Sequence, residues 1–288
     1  MSRVAYVNGR YVPHAHARVH VEDRGYQFAD GVYEVIAVCG GRLVDVEPHF
    51  DRLERSLAEV DMRRPMSRAA LAVVVNETVR RNRVRDGIVY LQVSRGVAPR
   101  DHAFPGPGVR PAVVLTAKSV PPARGDAKAA EGVRVVTLPD IRWRRCDIKS
   151  VSLLPNVLAK QRAREAGAFE AWQVDADGYV TEGSSTNAWI VDGEGNLVTR
   201  QTDTAILSGI TRRALLEVAE REGIRVVERP FTVAEAQAAR EAFVTSTTSF
   251  VMPVVQIDDR VIGNGVPGSI SRALRELYRR YADGDGGA

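Results

Sequence analysis

Tight-turn signals between short apolar segments recur along this chain and determine its fold class. Asn8-Gly9 stands between alternating residues, which is typical of a type I′ hairpin. Gly40-Gly41 separates two further apolar segments in the same way. Stretch 47–60 instead carries apolar residues at helical spacing. Hairpins mixed with helices predict an α/β chain of the α+β type.

One segment interrupts this pattern and suggests two lobes. Pro121–Gly132 is rich in Pro, Gly and Ala and poor in bulky apolar side chains. We therefore expect a small N-terminal α+β domain over 1–120, an interdomain linker at 121–132, and a larger domain over 133–288.

Charge and cysteine content exclude several classes of protein. The net charge is only +4 in 288 residues and the charges are interleaved, so we expect neither a nucleic-acid nor a membrane partner. Cys39 and Cys146 form no metal-spaced motif, so no metal site is expected. The polar start MSRVAYVNGRYV lacks the apolar core of a secretory signal. These features predict a cytoplasmic protein.

Lysine is rare in this chain, which draws attention to Lys149. The others are Lys118, Lys128 and Lys160, and the remaining basic residues are arginine. Lys149 follows the basic run Arg142–Arg145 and precedes Leu153, and neighbouring cations and burial both lower a lysine pKa. An amine with a lowered pKa can attack a carbonyl. Taken alone, the pattern favours a surface lysine in a basic patch.

Two segments have the chemistry of a phosphate site. Ser208–Thr211 opens a predicted helix, whose first N–H groups can bind an anion, although such residues also serve as ordinary helix caps. Segment Thr245–Ser249 has five hydroxyl side chains in a row after a strand. These hydroxyls could donate hydrogen bonds to a phosphate, or the segment could be an ordinary polar loop. Glu182, within TEGSSTN, is able to pair with a protonated ring nitrogen or to remain a solvated charge.

The whole set resembles one family. DRGYQFADGVYEV, HFDRL, RCDIKS, TEGSSTN, ILSGITR and VTSTTS occur in this order. They resemble the motifs of the fold-type IV pyridoxal-phosphate aminotransferases, most closely the D-amino-acid (D-alanine) members. The resemblance extends from about Asp23 to about Ile257. It implies a two-lobed architecture, in which the larger lobe has a mixed, barrel-like sheet and the cofactor lies between the lobes.

The resemblance assigns cofactor roles residue by residue. It implies that Lys149 carries pyridoxal 5′-phosphate as a Schiff base, and that Glu182 contacts the pyridine nitrogen. It places Ser184 and Ser185 near the ring. The phosphate group is expected to be bound by Arg52, Ile210, Thr211 and Thr247.

The resemblance also implies the substrate and the assembly. Tyr33, Arg100 and His102 resemble the carboxylate-binding set of the D-specific members. In that family the loop with the last two residues comes from the second subunit, so a homodimer is expected. The implied reaction is ping-pong transamination between a D-amino acid and a 2-oxo acid such as pyruvate or 2-oxoglutarate. Branched-chain L-aminotransferases, aminodeoxychorismate lyase and a non-catalytic cofactor-binding protein are the alternatives.

Overall fold

The computed structural model describes residues 3–284, without the side chains at 123 and 124. The chain divides into two units. The first, called the N-terminal unit, runs to Pro121 and also includes Ile148–Ser152. The second, called the C-terminal unit, comprises Pro122–Asp147 and the chain from Leu153 onward.

The N-terminal unit is one antiparallel sheet with helices. The sheet has six strands in the order β2-β1-β6-β5-β3-β4. Its elements are β1 (Val4–Val7), β2 (Arg10–Pro13), a 3₁₀ turn (His14–His16), α1 (Arg24–Phe28), β3 (Gly31–Cys39), β4 (Arg42–Leu43), α2 (Val46–Glu59), α3 (Arg68–Asn82), β5 (Gly87–Ser94) and β6 (Ala112–Ser119).

Local signals account for several of these elements. Asn8 and Gly9 both have positive φ, as the type I′ turn between β1 and β2 requires. Ser67 accepts a hydrogen bond from the Ala70 N–H at 3.2 Å and so caps α3. The core of the unit forms where α2 and α3 bury Phe50, Leu53 and other apolar residues on the sheet.

The C-terminal unit is built around a nine-stranded mixed sheet. Its elements are α4 (Pro122–Glu131), β7 (Val133–Pro139), α5 (Leu154–Glu165), β8 (Glu170–Val174), β9 (Val180–Gly183), β10 (Asn187–Val191), β11 (Leu197–Thr199), α6 (Ile210–Arg221), β12 (Val226–Glu228), α7 (Val233–Ala238), β13 (Glu241–Ser246), β14 (Phe250–Ile257), β15 (Arg260–Val261) and α8 (Ser269–Asp283).

The order of the large sheet confirms the predicted mixed architecture. The strands run β12-β11-β10-β13-β14-β7-β8-β9, and β15 pairs with β14. Parallel pairing occurs between β11 and β12, β14 and β7, and β7 and β8. The edge strand β9 also contacts β10, so the sheet is curled. None of the helices within residues 3–284 is long and apolar enough to cross a membrane.

The segment expected to be the interdomain linker, 121–132, is mostly helix α4. Pro122 occupies the first helical position, where its fixed φ favours a helix and its missing N–H is not needed. Segment 127–131, AKAAE, consists of strong helix formers. These residues account for a helix in a segment rich in Pro and Gly.

Candidate functional site

Lys149 lies on a short segment that pairs with the beginning of β3. The Tyr33 N–H donates to the Lys149 carbonyl at 3.0 Å, and the Val151 N–H donates to the Gly31 carbonyl at 3.0 Å. The Lys149 N–H in turn donates to Ser56 Oγ at 3.3 Å. The backbone of Lys149 is thus fixed by both β3 and α2.

The Lys149 side chain is half-buried against an aromatic ring. Its Nζ lies 4.3 Å from the centroid of the Tyr33 ring. The Tyr33 ring is also 5.7 Å from the Tyr90 ring. The structure therefore brings together the predicted nucleophilic amine and one of the three residues predicted to bind a substrate carboxylate.

Arg52 belongs to a buried charged cluster that the sequence interpretation did not include. Arg52 Nε and Nη2 lie 2.8 and 2.7 Å from the two carboxylate oxygens of Glu34. His49 Nδ1 lies 2.7 Å from Glu34 Oε2. All three side chains are buried. The cluster holds Arg52 in one orientation on α2.

The pKa values in this cluster favour an ionised Glu34 and a neutral His49. Burial alone would raise the pKa of Glu34, but the Arg52 charge and the hydrogen bonds from Arg52 and His49 lower it to about 2. Burial lowers the pKa of His49 and outweighs its attraction to Glu34. Because a carboxylate only accepts, His49 Nδ1 carries the proton, and Nε2 is the acceptor in the neutral ring.

Arg100 and His102 lie together on the exposed connection between β5 and β6. The Arg100 guanidinium is 5.0 Å from the Phe28 ring centroid, and the His102 ring is 5.4 Å from that of Phe28. Tyr33 instead contacts Lys149 and Tyr90. The three residues of the predicted carboxylate-binding set thus belong to two separate groups of contacts.

In the C-terminal unit, Glu182 lies at the end of β9 and is buried. Arg142 Nη1 forms an ion pair with Glu182 Oε1. Asn187 Nδ2 and the Leu207 N–H each donate to Oε2 at 3.1 Å. Glu182 is thus a buried acceptor held by an ion pair and two hydrogen bonds rather than a solvated charge.

Two arginines of the basic run 142–145 pair with nearby carboxylates. Arg142 also binds Asp140, with Nη2 at 2.7 Å from Oδ2, and Arg145 Nε lies 3.0 Å from Asp147 Oδ1. The charges of Arg142 and Arg145 are therefore paired with carboxylates of the same unit.

Ser184 and Ser185 are held by another buried carboxylate, that of Glu170 at the start of β8. The Ser184 hydroxyl donates to Glu170 Oε1, and the Ser185 hydroxyl donates to Oε2 at 2.9 Å. The Asn156 amide additionally donates to the Ser184 carbonyl at 2.9 Å. Glu170 therefore fixes the turn that follows Glu182.

Ile210 and Thr211 are the first two residues of α6, and both are buried. The i→i−4 hydrogen bonds of this helix begin with the Arg213 N–H, so the N–H groups of 210–212 precede them. A side chain at Gly209 would collide with Asn187 Oδ1, which explains the glycine before the helix. Helix α6 thus begins within the predicted segment Ser208–Thr211.

The hydroxyl run is divided between a strand and a turn. Thr245 lies in β13, where its hydroxyl accepts from Trp189 Nε1 at 3.0 Å. The hydroxyls of Ser246 and Ser249 lie 2.7 Å apart. Thr247 lies at the half-buried turn before β14.

The sequence predicts no role for Glu34, His49 or Glu170, and it does not pair Arg142 with Glu182. A signal existed for the first: Glu34 alternates with Val32 and Ile36 on β3, so it faces the core. A carboxylate at such a position requires a buried partner.

Comparison with known proteins identifies relatives along nearly the whole chain. The family model described as amino-transferase class IV matches residues 31–257. The D-alanine aminotransferase of Bacillus licheniformis is 44% identical over 268 residues, which are 93% of each chain. That of Staphylococcus haemolyticus is 40% identical and covers 96% of this chain and 97% of its own.

Solved structures have the same fold. A branched-chain amino acid aminotransferase with pyridoxamine 5′-phosphate superposes with a TM-score of 0.90, is 27% identical, and covers 99% of this chain and 95% of its own. The branched-chain aminotransferase of the thermophilic archaeon Thermoproteus uzoniensis, solved with norvaline, superposes with a TM-score of 0.86. It is 29% identical and covers 99% of this chain and 96% of its own. The predicted fold class is confirmed.

Proposed function

This chain belongs to the class IV aminotransferases, which depend on pyridoxal 5′-phosphate, and we propose that it transfers amino groups between D-amino acids and 2-oxo acids. The observation that carries the proposal is the 44% identity, over 93% of both chains, with a D-alanine aminotransferase. D-alanine is therefore the proposed amino donor, with pyruvate or 2-oxoglutarate as the acceptor.

The donor set of this chain fits pyridoxal 5′-phosphate chemically. Lys149 supplies a primary amine, and Glu182 supplies a buried carboxylate for a ring nitrogen. The start of α6 supplies backbone N–H groups for an anion. We assign the phosphate group to Arg52, Ile210, Thr211 and Thr247, and the neighbourhood of the ring to Ser184 and Ser185.

When bound, the cofactor supplies an aldehyde for the amino group and a ring that withdraws electrons from the substrate Cα. In the proposed mechanism Lys149 would hold the cofactor through its side-chain amine. The free Lys149 Nζ would then accept the proton from the substrate Cα as general base and deliver it to the C4′ carbon of the cofactor as general acid. The carboxylate of Glu182, held by Arg142, would accept a hydrogen bond from the protonated ring nitrogen.

We assign the substrate carboxylate to Tyr33, Arg100 and His102. Arg100 and His102 are exposed in the single chain, which supports a role in a neighbouring subunit of a homodimer. The two substrates use the site in turn, so the kinetics are ping-pong. We place the enzyme in the cytoplasm on the basis of its sequence.

A panel of amino donors tests the proposal. Purified enzyme is assayed with D-alanine plus 2-oxoglutarate, with L-leucine plus 2-oxoglutarate, and with aminodeoxychorismate. We expect the highest kcat/KM with D-alanine. Turnover of L-leucine but not of D-alanine would support a branched-chain L-aminotransferase. Release of pyruvate from aminodeoxychorismate would support a lyase.

A further inference from the structure

The segment Asp23–Asp30, DRGYQFAD, has no role in the chemistry proposed above. It is nevertheless fixed firmly in the N-terminal unit. Asp23 caps α1, with the Gly25 N–H at 2.8 Å from Oδ1, and accepts the Ser94 hydroxyl at 2.9 Å. The segment is thus attached to the end of β5, where the connection that carries Arg100 and His102 begins.

Arg24 is the buried centre of this segment, with only 4% of its surface exposed. Its Nε pairs with Asp30 Oδ2 at 2.8 Å. Its Nη1 donates to the carbonyl of Asp101 at 2.5 Å, and Nη2 approaches the carbonyl of His102 at 3.4 Å. A buried guanidinium therefore binds the backbone of an otherwise exposed loop.

Phe28 supplies a second contact between the segment and the loop. Its ring contacts the guanidinium of Arg100 and the ring of His102 from the loop. The Arg24 guanidinium itself lies 4.8 Å from the same ring. The two loop side chains assigned to the substrate carboxylate thus share one aromatic surface that Arg24 also contacts.

Asp30 connects Arg24 to a third contact. Arg95 Nε lies 2.7 Å from the same Asp30 oxygen, and its guanidinium lies 3.7 Å from the Phe104 ring. Arg95 is itself fixed by the carbonyls of Val60 and Asp61 at 2.7 and 3.0 Å. The loop is thus held at 101–102 by Arg24 and at 104 by Arg95. The Asp30 carboxylate pairs with both arginines.

We propose that Arg24 is a positioning residue that fixes the 100–104 loop, and with it Arg100 and His102, for binding of the substrate carboxylate. The proposal rests on the function assigned above. The connection 95–111 contains neither helix nor strand and is longer than the roughly 12–15 residues common for such loops. Fixing it in advance removes the ordering cost that substrate binding would otherwise carry.

The test compares Arg24→Gln, Arg24→Lys and the surface control Arg10→Gln in the full-length, cofactor-loaded enzyme. We expect Arg24→Gln to raise the KM for D-alanine about tenfold and to change kcat less than about twofold. Arg24→Lys retains the positive charge but lacks the several N–H donors of the planar guanidinium, so its KM should be intermediate. Arg10→Gln should match the unmodified enzyme.

Hydrogen exchange gives a readout that does not depend on turnover. Amides of 99–105 should exchange faster in Arg24→Gln, while those of β3 and β5 remain protected. Unchanged exchange in this loop, or an unchanged KM, overturns the proposal. Faster exchange across the whole N-terminal unit also overturns it, because Arg24 would then have a general structural role.

Arg100→Ala separates this proposal from the function on which it rests. If Arg100→Ala raises the KM for D-alanine but Arg24→Gln does not, the positioning role is wrong and the carboxylate role stands. If Arg100→Ala leaves the KM unchanged, Arg100 does not bind the substrate carboxylate. The proposal that Arg24 positions the loop for this binding is then wrong as well.

Discussion

Both carboxylate oxygens of Glu34 face the Arg52 guanidinium, so the two residues form a bidentate ion pair inside the N-terminal unit. Burial removes each charge from water, which costs free energy that only the partner charge offsets. Removal of one partner therefore leaves the other as an unpaired buried charge. The phosphate-binding role proposed for Arg52 therefore depends on Glu34.

Glu34→Gln should lower the free energy of unfolding at pH 7 by about 3–5 kcal/mol, because Arg52 loses its buried counter-charge. Chemical denaturation measures this difference. Glu59→Gln on α2 is the control, since the Arg55–Glu59 contact of 3.8 Å is exposed and should contribute less than about 1 kcal/mol. Equal effects of the two substitutions would contradict this account.

The stabilisation by Glu34 should depend on pH in a defined direction. The pKa of Glu34 is lowered in the fold from 4.5 to about 2, so the unfolded chain binds the proton more tightly. The contribution is complete above the unfolded pKa and is lost as the pH falls through the folded one. The stability difference between the unmodified enzyme and Glu34→Gln should therefore shrink between pH 5 and pH 2.

Arg142→Met should destabilise the C-terminal unit, by about 3–5 kcal/mol, because Asp140 and Glu182 would lose their shared cation. Burial would raise the pKa of Asp140, yet its hydrogen bonds and the Arg142 charge lower it overall. The loss of stability caused by Arg142→Met should therefore decrease as the pH falls below about 4. Arg144→Met, at an exposed neighbour, is the control and should unfold like the unmodified enzyme.

Glu170→Ala should weaken cofactor binding more than Glu170→Gln does. Alanine leaves the Ser184 and Ser185 hydroxyls without their acceptor, whereas glutamine retains one oxygen. We expect the Kd for pyridoxal 5′-phosphate to rise about tenfold for alanine, which corresponds to roughly 1.4 kcal/mol. Titration of the apoenzyme measures the Kd, and an unchanged Kd for Glu170→Ala would remove Glu170 from the account.

Cys146 should react slowly with iodoacetamide at pH 8. Burial raises the pKa of its thiol to about 12, with a smaller opposing effect from Arg142 and further increases from nearby carboxylates. The thiolate is the reactive form, so alkylation should be at least about tenfold slower than in the urea-unfolded chain. Mass spectrometry of the tryptic peptide 146–149 measures both rates, and equal rates would contradict the raised pKa.

Elements specified by local sequence were predictable. The Asn8-Gly9 hairpin, the Ser67 cap and the spacing of Phe50 and Leu53 on α2 each depend on neighbours a few positions away. The boundaries of α2 differ by one residue from the predicted stretch 47–60. Local patterns of this kind carry enough information to locate an element.

Contacts between distant segments were not predictable from such patterns. Arg142 meets Glu182 forty positions later, and Arg24 meets the Asp101 carbonyl seventy-seven positions later. Nothing in the spacing of the basic run indicates which carboxylates will pair with it. The return of Ile148–Ser152 to the N-terminal unit likewise depends on strand pairing with β3, which is a tertiary contact.

The most direct test of the account is chemical location of the cofactor on the chain. The cofactor-loaded enzyme is reduced with borohydride, digested, and mapped by mass spectrometry. We expect the phosphopyridoxyl group on Lys149, and no label in Lys149→Ala treated in the same way. Label on Lys118, Lys128 or Lys160, or no stable label on the unmodified enzyme, would contradict the central claim that the Lys149 amine holds the cofactor.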